Sequence, residues 1–113
     1  MDGIIRIAPL VFGLLMVVTG AYGMAGRLPK NDWVGLRLHV VMENERTWEV
    51  GHRAGGPWLL GTGFVVAAGG LALRILYPEP GTGLRFAFVF MLLAFAGYGI
   101  AAAKAQAAVR RMR

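Results

Sequence analysis

Three long apolar runs and one polar stretch divide the chain. Residues 7–26 read IAPLVFGLLMVVTGAYGMAG without a charge, and about 20 helical residues cross a hydrocarbon core of roughly 30 Å. A second run, WLLGTGFVVAAGGLALRIL, covers residues 58–76, and a third, FAFVFMLLAFAGYGIAAA, covers residues 86–103. Arg74 lies near the end of the second run, where its stem can follow apolar surface while the guanidinium reaches the interface. Trp58 and Tyr77 bracket the same run as interfacial aromatics do. The pattern predicts an all-α integral membrane protein, with residues 1–113 forming a single membrane domain of three transmembrane helices. The first run is read as a retained helix rather than a cleaved signal peptide. Pro9 falls in its first turn, where a missing N–H costs least.

The polar segment, residues 27–57, opens with Arg27, Leu28, Pro29 and Lys30 and closes with Gly55, Gly56 and Pro57. Its centre, NDWVGLRLHVVMENERTWEVGHR, holds both histidines, two of the three tryptophans and four of the six acidic residues. Any activity beyond occupying a membrane is therefore expected here. Gly35 allows a tight re-entry through a left-handed backbone. Residues 38–42 form an apolar run around His39, too short to span. Asn44 suits an N-cap and Glu45 suits the first turn of a helix. Glu45, Trp48 and His52 then share one face, and Glu49 with Arg53 forms an i,i+4 pair in the favourable order. These features predict a partly helical, amphipathic segment lying on the membrane surface. Farther on, the PEPGTG of residues 78–83 reads as a tight turn, and helix is expected to run past Ala103 into KAQAAVRRMR.

Composition agrees with a membrane location. Hydrophobic residues make up 57% of the 113 residues and charged ones 16%, more apolar than a small soluble domain can bury. The net charge of +6 raises a nucleic-acid reading, but the cations follow the topology of the spans. Nine lysines and arginines fall on the side of the polar segment and the C-terminus, and Arg6, Arg74 and Arg85 fall opposite. That asymmetry predicts a cytoplasmic polar segment and C-terminus with the N-terminus outside, and no nucleic-acid partner. Arg110, Arg111 and Arg113 are placed to meet anionic lipid headgroups.

Several chemistries can be weighed in the polar segment. Glu49-x-x-His52 has the spacing of carboxylate-bridged di-metal bundles, which need the motif twice and further glutamates. With one copy here, no metal and no cofactor is expected. Acid–base catalysis by His52 with Glu45 or Glu49 would need a companion group, and the chain has neither cysteine nor serine. It is not expected to be an enzyme. Trp33, Arg37, Glu45, Trp48, His52 and Arg53 then form either a docking surface or a structural polar collar. Arg37 has Glu45 or a lipid phosphate as candidate partners. Rows of small residues (Gly97, Ala101 and Ala105; Gly99, Ala103 and Ala107; Gly63 and Ala67) suit close helix packing. That packing serves the chain's own bundle or a homo-oligomer.

The order Asn31, Gly35, Arg37, Glu45, Trp48, His52, Arg53 resembles the SdpI family, the immunity proteins of the sporulation-delay toxin. That family's pattern reads approximately N-x-x-[IV]-G-[IL]-R-T-P-x-T-L-x-[SN]-E-x-x-W-x-x-x-[HN]-R. The arginine-to-glutamate, glutamate-to-tryptophan and tryptophan-to-histidine intervals match here without a gap. The family's Thr-Pro is Leu38-His39 in this chain and its Thr-Leu is Val41-Met42, which frees the segment to be more helical. The resemblance implies a multi-pass protein of the bacterial cell membrane acting in toxin immunity or membrane signalling. It implies a protein partner, either a toxin or a repressor, met by Asn31, Trp33, Gly35, Arg37, Glu45, Trp48, His52 and Arg53. An accessory or structural subunit of a larger membrane complex, or a lipid-binding protein, is the competing expectation.

Overall fold

The computed structural model describes the backbone of residues 2–31, 35–36, 38–76 and 80–112, and the side chains of residues 7–31, 35–36, 38–76 and 85–112. Trp33, Arg37, Tyr77 and Arg113 lie outside the described residues. Four helices follow in order: α1 Asp2–Met24, α2 His39–Met42, α3 Glu45–Leu76 and α4 Pro80–Arg111. Three of them contain stretches long and apolar enough to cross a membrane. The molecule is a rod of 51 × 21 × 20 Å, longer than a hydrocarbon core of about 30 Å.

The largest departure from the sequence reading is the length of α3. It runs unbroken for 32 residues through Gly55, Gly56 and Pro57, about 48 Å at 1.5 Å per residue. The first turns of α3 therefore continue the second span and do not form a separate helix on the membrane surface. Gly55 and Gly56 are there for packing. A β-carbon on Gly55 would lie 2.7 Å from the Ala101 carbonyl oxygen of α4, and one on Gly56 would lie 2.8 Å from the Gly20 carbonyl oxygen of α1. Pro57 costs the helix one hydrogen bond, which neighbouring helices make tolerable.

Two further boundaries move. Pro9 stands inside α1, because the helix already begins at Asp2. The expected turn at residues 78–83 is shorter, since α4 begins at Pro80. A proline at the first helical position loses an N–H that had no intrahelical partner. The C-terminal extension does continue as helix, to Arg111. α1 ends in a Schellman motif: Arg27 N–H reaches Tyr22 C=O at 2.9 Å and Gly26 N–H reaches Gly23 C=O at 3.1 Å. Gly26 takes the left-handed φ of 70° that this motif requires.

α3 is the central helix, with α1 and α4 packed against it. Packing changes in kind along the rod. Within the spans, large side chains such as Phe64, Ile75, Leu92 and Phe95 point outward, and contact is made through glycine and alanine. Lipid is as apolar as leucine, so close backbone approach replaces hydrophobic burial as the cohesive force. Toward the polar segment the pattern inverts. Leu36, Val41, Trp48, Leu59, Ala101, Ala105 and Val109 form a buried cluster of the kind that water drives together. The end of the bundle carrying residues 35–36, 38–52 and 101–109 thus has its own small core.

Candidate functional site

The connection from α1 to α3 returns across the end of the bundle and is held there by three side chains. Trp48 Nε1 donates to the Leu28 carbonyl at 2.8 Å. The Leu36 N–H donates to His52 Nε2, also at 2.8 Å. Tyr98 of α4 donates its hydroxyl proton to the Gly35 carbonyl at 3.0 Å. Trp48 and His52 are one turn apart on α3, with ring centroids separated by 4.2 Å. They are 2% and 1% exposed, so they act on the backbone of the connection from inside the protein. Leu36, fully buried, fits against Gly55 and is part of the same core as Ala101.

The hydrogen bonds define the state of His52. Leu36 can only donate, so Nε2 accepts, and Nδ1 then donates to the Trp48 carbonyl at 2.8 Å. A neutral imidazole with its proton on Nδ1 satisfies both contacts. An imidazolium would set a second donor against the Leu36 N–H. Nitrogen-15 NMR of ring-labelled protein is expected to show His52 as the Nδ1–H tautomer. A spectrum dominated by the Nε2–H tautomer would refute the arrangement.

Gly35 is where the connection touches both rings. Its φ is 117°, a region that favours glycine. A β-carbon there would lie 2.6 Å from His52 Nε2 and 3.1 Å from Trp48 Cη2. The entry to α3 is built as expected around Asn44, with a partner the sequence reading missed. Asn44 Oδ1 accepts the Thr47 N–H at 2.9 Å and Thr47 Oγ1 accepts the Asn44 N–H at 3.1 Å, a reciprocal cap with threonine in place of the usual Glu or Gln. Thr47 Oγ1 also lies 3.0 Å from the Val41 carbonyl, tying α2 to the first turn of α3.

The remaining site residues separate by exposure. Glu45 and Arg46 are exposed. The expected Glu49–Arg53 pair is present at 3.1 Å on the surface, beside Gly26, and such an exposed pair contributes little to stability. Asn31 is half-buried and donates to the Pro29 carbonyl at 2.8 Å. Glu49 points outward while His52 points inward, and no set of three metal-ligating side chains converges among the described residues. Sequence reasoning passed over Leu28, Leu36, Thr47 and Tyr98. Tyr98 was the most legible of these: it bears the one side-chain hydroxyl in the apolar run of residues 86–103, where a hydroxyl calls for a partner.

These features define a class: a three-span membrane protein whose longest polar connection is clamped onto a cored end of the bundle. The model of the SdpI/YfhL protein family matches residues 27–103, about two-thirds of the chain, and the chain belongs to that family. It is a family of membrane immunity-type proteins and not a known enzyme family. Neither the curated proteins nor the solved structures contain a match to the chain.

Proposed function

We propose that the protein acts in toxin immunity or membrane signalling by presenting the clamped end of the bundle to a protein partner. The observation that carries this reading is that the family-matched stretch builds a separately cored end held by Trp48, His52 and Tyr98. A chain serving only as membrane filler has no need of such a construction. Glu45, Glu49 and Arg53 on α3 supply the exposed charge, and Asn31, Trp33 and Arg37 belong to the connection in sequence. Gly35, Trp48 and His52 hold the connection in place and act as positioning residues. The nine-to-three distribution of lysine and arginine supports a cytoplasmic location for this end in a bacterial cell membrane. A cytoplasmic regulator or the inner face of a membrane complex is then within its reach.

Deletion of the gene followed by challenge with secreted toxins tests the proposal. Wild-type protein is expected to restore protection, and Glu45→Ala combined with Arg53→Ala is expected to lose it while inserting and unfolding like the wild type. These positions are exposed, so losing the Glu45 first-turn charge and the Glu49–Arg53 pair together costs only about 1 kcal/mol. Full protection by the double variant would exclude this surface as the contact.

A further inference from the structure

Between α1 and α4 lies an apolar groove of about 300 Å³ open to the side. Phe12, Leu15 and Phe95 form its walls and Leu59 its floor, and the Tyr98–Gly35 hydrogen bond closes the end nearest the clamped connection. We propose that this groove holds one acyl chain of an anionic phospholipid from the leaflet on that side. The site is independent of whatever protein docks on the end of the bundle.

Lining, depth and charge point to this occupant. The groove is lined almost wholly by apolar side chains and lies along helices long and apolar enough to cross a membrane, where lipid chains are the surrounding medium. A single chain of methylenes fits. From Phe12 to Thr19 the groove follows α1 for about 10 Å, within the roughly 15 Å depth of one leaflet. At the closed end the wall becomes polar through the Thr19 and Tyr98 hydroxyls and the Gly35 backbone. Two turns beyond Thr19, α1 gives way to Arg27, followed by Lys30, and both are exposed. Both follow α1 in sequence past the groove's polar end, so they add positive charge at the headgroup level there, which favours an anionic headgroup over a zwitterionic one.

The experiment uses the intact protein in nanodiscs that carry trace phosphatidylglycerol with a photoactivatable diazirine in its acyl chain. Labelled residues are mapped by mass spectrometry. Leu15, Met16 and Met91 are expected to be labelled several times more than Phe64, Phe88 and Leu92, which face lipid elsewhere. Unlabelled phosphatidylglycerol is expected to compete and phosphatidylcholine to compete poorly, and Arg27→Gln or Lys30→Gln should each erode that preference by about fivefold. Ala94→Phe, at a buried position in the groove wall, is expected to reduce groove labelling to the background level. Leu15→Trp, at a half-exposed position, fills the groove with less risk to folding and should do the same. Even labelling over all lipid-facing side chains overturns the proposal, as does equal competition by both lipids. Cross-linking of Phe95 to a second copy in place of lipid also overturns it.

Discussion

Trp48→Ala is expected to free the connection between α1 and α2 while leaving all three spans in the membrane. The substitution removes a side chain that is 2% exposed and sits in the buried cluster, at a cost of about 3–5 kcal/mol. It also leaves the Leu28 carbonyl without its indole donor and His52 without its ring neighbour. Folded proteins are stable by only about 5–15 kcal/mol, so this is a large share. Insertion depends on the apolar runs alone, and their association follows as a later step. Hydrogen exchange read at single amides should therefore show Leu36 exchanging far faster in the variant, with amides of the span near Val66 still protected. Trp48→Phe keeps most of the ring and loses the N–H, so its effect should be about 1 kcal/mol. Leu36 protection unchanged by Trp48→Ala would mean that the clamp does not hold the connection.

The same residues show how far the sequence could be read. Three spans were legible because hydropathy over some 20 residues needs no tertiary information. The Asn44 cap and the Glu49–Arg53 pair were legible because both are local, reaching three or four residues. The inward face of α3 was not. Whether Trp48 and His52 look outward to a partner or inward depends on a chain that returns to them 20 and 16 residues away in sequence. Gly55-Gly56-Pro57 misled for a related reason. In a lone helix in water those residues favour an end, but the backbones of α1 and α4 both come against this point, and only glycine leaves room for them. Of the small-residue rows, Ala101 and Ala105 are fully buried and so serve the bundle itself. Gly99 has open space around it, and its row faces away from the core.

A seven-residue glycine spacing, Gly13 and Gly20 on α1 with Gly56, Gly63 and Gly70 on α3, forms the seam between the two antiparallel helices, and Gly20→Leu is expected to break it. A β-carbon on Gly20 would lie 2.5 Å from the Leu60 nitrogen and 2.6 Å from the Gly56 carbonyl oxygen. Both obstacles are backbone atoms of α3, so no rotamer change relieves the overlap and the helices must separate. Overpacking typically costs about 1–3 kcal/mol, and this site belongs at the upper end. Gly61→Leu is the matched control. It lies on the same helix pair with nothing within 4 Å of its β-position, and the gain in helix propensity, up to about 1 kcal/mol, should leave it neutral or stabilised. Unfolding of both variants in bicelles compares them directly, and equal losses would be incompatible with the seam. The consequence should also reach the clamped end. Gly23, three residues beyond Gly20, would place a β-carbon 3.1 Å from His52 Cβ, and α1 delivers Leu28 to Trp48 only while that contact is kept. Faster exchange at the Leu36 amide in Gly20→Leu, far from the substitution, would show that the glycine seam in the membrane sets the geometry of the connection outside it.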